Sequence, residues 1–538
     1  MSQTVSSMPD LHPKFGIPEE FRTRPFAFTM LVVAVIYSPS LFWALGLDQN
    51  IFAEIGSLIL TGKKPYVDAW DVKPPNIYYT YAFFEWLLGP NDFAIRIADY
   101  LASLASCAAI YIAVRRWLAN LGASSLALEV APVVAALLLS LTFLSLGLAD
   151  TAQTESFAVL FILIAATLAS RGESKTRMLF AGAALGIATF FKTTNALFPL
   201  PIALELALLR GATRATRVRV VGILLLGWIG WCALQLGVLA IEGSLAEYLR
   251  ITQSVLLHHP NEVSTLTISR LFHSLWTLTD CWSTLVIVAI VCASLSRKTA
   301  FLRSIRLPLL LVFTGLLAVY FQNKGWGYHY VIVLPGLVWA CALAAVYFFE
   351  LLSTWKKGAA LSASAIIIIL TLFLSPSAHR RSHYINDSFA SITSHEKYLT
   401  SLGSPRSLYY PPATEQLASY LRANTTHEDR IFIFGEEPGA YWKSDRIPAT
   451  RFTYALLFTS SVISPEELSA MNDTLIRTKP ACIVIERFDT LFFRGRPETS
   501  ESLVQTDPQY TLLRNLLQSE YHIVDTVAEK FIIYRRKL

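Results

Sequence analysis

Charge is scarce in this sequence. Asp, Glu, Lys and Arg make up 16% of 538 residues, against roughly 25% in ordinary soluble domains. Apolar residue types make up 54%, more than a water-soluble chain of this length would need. Cysteine patterning is also missing. There are six cysteines, and none forms a CxxC pair. Cys107, Cys232, Cys281, Cys292 and Cys341 lie in or beside apolar blocks, and Cys482 stands alone in the C-terminal region. A zinc site and a disulfide framework are therefore excluded, and these residues read as small hydrophobes. Glycine-rich phosphate loops, GxSxG and GxGxxG patterns, internal repeats and low-complexity segments are absent. His258-His259 has no partner at i+4, which gives little basis for a metal site. The net charge of +6 is spread in small clusters between apolar blocks. That argues against a nucleic-acid partner and for cytoplasmic loops of a membrane protein. Residues 1–25 are polar, and the first apolar block is too long for a signal peptide core, so it reads as a retained helix.

What is present is a series of apolar blocks near bilayer-spanning length. They predict helices at 27–47, 93–114, 130–147, 154–170, 178–191, 193–209, 218–241, 272–296, 307–322, 329–350 and 358–375. The pair 178–191 and 193–209 reads either as a full hairpin or as a partly re-entrant one. With the N-terminus in the cytoplasm, alternate loops carry Arg115 and Arg116; Arg171, Lys175 and Arg177; Arg210 to Arg219; Arg297 to Arg306; and Lys356 and Lys357. Each is basic, as the positive-inside rule requires. The expected fold class is a polytopic α-helical membrane protein of about eleven spans. A cytoplasmic segment (1–26) precedes a transmembrane domain (27–375), and an extracytoplasmic α/β domain (376–538) follows. The first outer loop, 48–92, is acidic and aromatic, with helical spacing at 50–60 and 76–88 that predicts interfacial helices. In the tail, strand-like runs at 430–435, 482–487 and 531–536 alternate with helical patterns at 413–423 and 465–478.

Five places carry polar chemistry at the outer face. Asp48 directly follows the first apolar block. A carboxylate there can act as a general base, or merely end a helix or cap the next one. The segment Lys63 to Pro75 places Asp71 and Lys73 beside Pro74-Pro75. An extended Lys73 could reach a phosphate, and the plain alternative is an exposed turn-rich loop. Asp150 and Glu155 flank a short outer turn, where ionisable groups are either functional or simply solvated. Lys192 lies between two apolar runs and needs a partner or water. The run from Asn323 to Tyr330 brings Lys324, Tyr328, His329 and Tyr330 to the rim. There they either contact phosphate oxygens or form an interfacial aromatic belt.

Taken in order, these segments resemble the GT-C membrane glycosyltransferases, in particular bacterial relatives of the protein O-mannosyltransferases and the lipid A aminoarabinose transferase. Asp48 stands where that family keeps an acidic residue in its first outer loop. Gly62-Lys63-Lys64-Pro65-Tyr66 through Lys73-Pro74-Pro75 resembles the family's GxxPY…KPP segment. Gly186 to Lys192 resembles its short helix ending in Lys, and Tyr328 to Pro335 its YYxLP entry to a later helix. Arg430 to Tyr441 and Pro448 to Arg451 resemble outer domains of the bacterial members. The sequence departs from the pattern in two places. Gln49 and Asn50 follow Asp48 where many members have a second acid, so a second carboxylate would come from Asp71, Asp150 or Glu155. His329 replaces a common tyrosine.

The resemblance implies inverting transfer of a sugar from a polyprenyl-phosphate-linked donor, on the outer face of a bacterial inner membrane. Asp48 would be the base. Lys73, with Lys192 or Lys324 and a tyrosine of 328–330, would hold the donor phosphate. The acceptor would be a glycolipid, a glycan or a protein. No obligatory cofactor is expected, though a divalent metal is left open. The competing reading is a membrane transporter or lipid flippase. The lack of an inverted repeat and the gathering of polar residues on one face argue against it.

Overall fold

The computed structural model describes residues 24–170, 174–208, 211–258, 267–279, 299–353, 376–459, 463–489, 491–493 and 496–537. Helix α1 (Arg24–Tyr37) does not continue to residue 47 as expected. It tightens into a 3-10 turn at Ser38–Phe42, and Trp43 is extended. Pro39 is the reason, since its ring clashes with the carbonyl four residues back and it has no N–H to donate. The chain then enters α2 (Leu47–Leu60) and α3 (Asn76–Leu88), the two helices expected in the first outer loop.

Helices α4 (Asp92–Asn120) and α5 (Ser125–Asp150) overrun the apolar blocks that announced them. Their ends are set by polar caps. The Asn91 side chain accepts from the Ala94 N–H, and Ser124 accepts from Ala127, satisfying otherwise orphaned donors. Helix α5 kinks at Gly147, whose φ is +73°. A Cβ there would overlap the ring of Tyr384, so the position combines left-handed backbone with a close approach.

After α6 (Thr154–Ala169) and α7 (Lys175–Phe191), Lys192 is extended, a 3-10 turn covers Thr193–Leu197, and α8 runs over Pro199–Ala207. The second arm of the doubtful hairpin is thus a short, broken piece. Its 9 helical residues rise roughly 14 Å, half of a bilayer core. Helix α9 (Arg214–Glu242) packs backbone to backbone on α7. A Cβ on Gly182 would sit 2.0 Å from the Leu224 carbonyl oxygen, and one on Gly227 would sit 2.1 Å from that of Leu179. Glycines allow that approach where lipid supplies no hydrophobic drive between helices.

The chain continues through α10 (Leu245–His258), α11 (Ile268–Thr279), α12 (Thr299–Ser304), α13 (Arg306–Gln322), a 3-10 turn at Gly327–Val333 and α14 (Leu334–Ser353). Among the described residues five helices are long and apolar enough to cross a membrane: Arg24–Phe42, Asp92–Asn120, Ser125–Asp150, Arg214–Glu242 and Gly327–Tyr347. Thr154–Ala169 and Arg306–Gln322 are shorter and apolar. The expected span 358–375, and 272–296 beyond Thr279, lie outside the described residues.

Helix α15 (Pro376–Thr393) packs against α5 and the 3-10 turn after α1. Arg381 donates to Ser145 Oγ at 3.0 Å, and Trp43 Nε1 donates to Ser388 Oγ at 2.9 Å. Beyond it stand β1 (Arg430–Phe434), β2 (Ile447–Pro448), β3 (Cys482–Glu486), β4 (Leu491–Phe493), β5 (Arg496–Glu498), β6 (Tyr521–Val527) and β7 (Phe531–Arg536). The main sheet has the order β2-β1-β3-β7-β6, with β1 parallel to β2 and β3, and β7 antiparallel to β3 and β6. The three runs expected as strands are β1, β3 and β7. Helices Pro411–Asn424 and Pro465–Thr478 occupy the expected helical stretches. This C-terminal part rests on residues 48–92 through Asn50–Tyr409 (2.8 Å), Lys443–Asp92 (2.9 Å) and the Trp70 N–H to the Arg451 carbonyl (2.8 Å). It also reaches α10, where Arg250 and Arg451 share Glu247 and Glu467.

Candidate active site

Asp48 lies in the first turn of α2 and stays half-exposed. Its neighbours fix that turn. Gln49, fully buried, donates through Nε2 to the carbonyls of Leu148 (3.1 Å), Ala149 (3.1 Å) and Thr151 (2.6 Å). Asn50 donates to Gly46 O and Tyr409 Oη. This explains the departure from paired acids. A carboxylate at 49 accepts only and would face three carbonyl oxygens.

Lys73 comes from the loop between α2 and α3. The Tyr66 hydroxyl holds its backbone carbonyl at 2.8 Å. Tyr66 itself is left-handed, at φ +71°, and its N–H closes a tight turn on Ala69 O. Pro74 and Pro75 lead straight into α3. The Lys73 ammonium stands 5.4 Å from the centroid of the Tyr328 ring, and that of Lys192 stands 5.3 Å from the same centroid. Two lysines distant in sequence thus converge on one phenol. The Tyr328 hydroxyl faces Asp48, with Glu155 and Asp150 nearby.

The three other candidate carboxylates are differently employed. Glu155 is fully buried, forms an ion pair with Lys192, and accepts from Thr154 Oγ1. The Lys192 cost foreseen from sequence is met in this way. Asp150 accepts from the Tyr328 backbone N–H, and a Cβ on Gly327 would strike its carboxylate at 2.2 Å. It therefore braces the turn that presents Tyr328. Asp71 is buried behind Lys73, with Tyr78 Oη at 2.6 Å and Tyr454 Oη at 2.7 Å on its two oxygens. Burial pushes its carboxyl up from the usual range, while the two phenols and Lys73 pull the other way. Asp48, Asp150, Glu155, Lys73, Lys192 and Tyr328 thus come together. Asp71 stands one layer back, and the Tyr330 hydroxyl turns toward Ser274 of α11. His329 packs edge-on against Tyr328, with centroids 4.6 Å apart, and near Trp326. Lys324 is buried just before this turn.

Comparison with known proteins follows the same layout. A family model described as dolichyl-phosphate-mannose-protein mannosyltransferase matches residues 72–234, a stretch that holds Lys73, Asp150, Glu155 and Lys192. Crystal structures of ArnT from Cupriavidus metallidurans superpose over 95% of this chain. The one bound to undecaprenyl phosphate covers 97% of that chain, with TM-score 0.57 and 14% identity. The apo state covers 96%, with TM-score 0.58 and 14% identity. The chain has a GT-C fold. In sequence and shape it resembles the mannosyltransferase and ArnT branch of the GT-C glycosyltransferases. The oligosaccharyltransferase of Archaeoglobus fulgidus, tethered to an acceptor peptide, covers 96% of this chain and 74% of its own, with TM-score 0.54 and 10% identity. A search of curated proteins finds no match.

Within this GT-C fold, two residues that the sequence reading passed over hold the site's frame. Arg96, fully buried, donates to the carbonyls of Trp43, Ala44 and Leu148 and to Thr151 Oγ1. Asp99 accepts from Tyr37 Oη at 2.7 Å and from the Ala152 N–H at 2.8 Å. Together they tie the end of α1 to the turn after α5, which bears Asp150. The available signal was two ionisable groups one turn apart inside an apolar helix, where neither is cheap without a partner. Among the described residues, no group of three or more His, Cys, Asp or Glu side chains is placed to hold a metal ion.

Proposed function

We propose that this protein is an inverting glycosyltransferase that moves a sugar from a polyprenyl-phosphate-linked donor to an acceptor on the outer face of a bacterial inner membrane. The observation that carries the reading is the convergence of Lys73 and Lys192 on Tyr328, beside the half-exposed Asp48. Cations next to a phenol form a phosphate-sized receptor, and an accessible carboxylate beside it is a base. The bound undecaprenyl phosphate of the ArnT crystal structure, in a chain of the same fold, supports a lipid-phosphate donor.

In the proposed step the acceptor hydroxyl or amine gives its proton to Asp48 as its heteroatom attacks the anomeric carbon. The bond from that carbon to the phosphate oxygen breaks, and the lipid phosphate leaves with the electron pair. Lys73 and Lys192 face the growing negative charge, with the Tyr328 hydroxyl available as a donor. The phosphate is already a good leaving group, so positioning and electrostatics supply most of the rate. Glu155 holds Lys192 in place and lowers the net positive charge, which keeps the product from binding too tightly. The acceptor is a glycolipid, a glycan or a protein.

The test is sugar transfer from polyprenyl-phosphate donors to cell-envelope acceptors, comparing wild type with Asp48→Asn at equal membrane expression. Asp48→Asn should lower the rate about 10²–10⁴-fold while leaving undecaprenyl phosphate binding within twofold. Full activity in Asp48→Asn would move the base to Asp150. No transfer by folded wild type from any such donor would favour transport.

A further inference from the structure

The C-terminal domain places a side chain directly behind the phosphate site. Residues 451–454 lie against the 70–73 strip of the first outer loop. The Trp70 N–H donates to Arg451 O at 2.8 Å. The Trp70 and Phe452 rings meet with centroids 5.7 Å apart, and Tyr454 Oη donates to Asp71 Oδ1 at 2.7 Å. The other Asp71 oxygen belongs to Tyr78 at 2.6 Å. That same Tyr78 hydroxyl sits 3.2 Å from Lys73 O, and it has one proton to give. While Tyr454 and Tyr78 together satisfy Asp71, the Lys73 carbonyl relies on Tyr66. Without Tyr454, Asp71 would keep only Tyr78 and the Val72 N–H as donors, and its geometry, two residues before Lys73, would be less firmly fixed.

We infer that Tyr454 is a positioning residue for the donor phosphate, acting through Asp71 on Lys73, so that the C-terminal domain completes the donor site. The inference rests on the reading of Lys73 as a phosphate ligand. It explains why Asp71, 1% exposed, is kept in so dry a place. A buried carboxylate with both oxygens bonded and an ammonium nearby is a rigid anchor. A strip clamped between Tyr66, Tyr78 and Tyr454, then stiffened by Pro74-Pro75, holds the Lys73 stem with little freedom left.

The experiment measures undecaprenyl phosphate binding to the purified full chain for wild type, Tyr454→Phe, Asp71→Asn and the double variant, with thermal midpoints alongside. Tyr521→Phe is the control, because its hydroxyl donates to Pro480 O elsewhere in the same domain. A hydrogen bond to a charged group corresponds to about tenfold in affinity. Tyr454→Phe should therefore weaken binding about tenfold at a temperature where it is fully folded, with a midpoint somewhat lowered by the bond lost from a buried carboxylate, and Tyr521→Phe should bind as wild type. The double variant should bind no worse than Asp71→Asn, because a residue acting through Asp71 has nothing further to lose. Wild type that binds no undecaprenyl phosphate would overturn the donor reading and this inference with it. Wild type that binds, with Tyr454→Phe equal to it, would overturn this inference alone. Loss in Tyr454→Phe that adds to that of Asp71→Asn would mean that Tyr454 does not act through Asp71 and would overturn it too.

Discussion

The middles of the helices and the ends that carry the candidate site are held together by different means. At mid-depth α7 and α9 meet through Gly182 and Gly227, backbone against backbone, with a side-chain hydrogen bond from Trp228 Nε1 to Thr189 Oγ1 (3.1 Å) beside that approach. At the ends that carry the candidate site, named hydrogen bonds add to the packing. Gln49 reaches three carbonyls, Arg96 three carbonyls and a hydroxyl, Asp99 a phenol and an N–H, and Asp71 two phenols. Packing density places helices to within a side chain. Directional bonds place single atoms, and a displacement chemistry needs the second kind of accuracy. The bundle middle therefore tolerates conservative change in function but not in volume, and the outer layer the reverse.

The largest expected effect tests the outer layer. Gln49→Glu keeps the shape, yet it replaces a donor with an acceptor facing Leu148, Ala149 and Thr151. Transfer should fall at least about 100-fold, and stability by about 3–5 kcal/mol, as when a buried charge is left without a partner. Thermal melting and transfer assays on the same preparation measure both. Retained transfer would mean that the turn after α5 is placed by packing, and the contrast between the two regions would collapse.

This variant also marks how far the sequence could be read. Elements with a periodic or compositional signal were visible: the apolar blocks, α2 and α3, and the runs that became β1, β3 and β7. Candidate residues that stand in local motifs were visible as well, including Asp48, Lys73, Lys192 and Tyr328. Their convergence was not, because it joins segments up to 280 positions apart, from Asp48 to Tyr328. Helix ends were misjudged where a polar cap such as Ser124 starts a helix before its apolar block, where α4 runs on to Asn120, and where Pro39 splits one. The roles of Asp71 and Asp150 were open from sequence alone. A carboxylate that braces and a carboxylate that takes a proton look alike until their partners are known.

A second, intermediate effect tests the bundle middle. Gly182→Val would drive a side chain into the Leu224 carbonyl, and backbone cannot swing aside as a flexible side chain can. Stability should fall by about 3 kcal/mol, the upper end of the overpacking range, read as a lower thermal midpoint and reduced yield. Protein that does fold should keep donor affinity within about threefold. A folded, stable Gly182→Val that has lost donor binding would show that helix spacing sets the site, contrary to the division drawn above.

The smallest effect lies in the outer layer away from the proposed chemistry. Glu85 of α3 is buried, accepts from Ser57 Oγ of α2 at 2.7 Å, and faces Glu54 on that helix. Burial pushes its carboxyl up to about 8. A raised carboxyl favours the fold while neutral. That contribution is complete below the unfolded value of roughly 4.5 and is lost as pH rises through about 8. The wild-type thermal midpoint should therefore drop between pH 5 and 8. Glu85→Gln, neutral throughout, should flatten that slope and melt higher than wild type at pH 8, with little difference at pH 5. An unchanged slope in Glu85→Gln would assign the pH response to Glu54. A slope of the opposite sign would mean that the pair of outer helices is held by ionised groups, and polar placement there would be electrostatic rather than hydrogen-bonded.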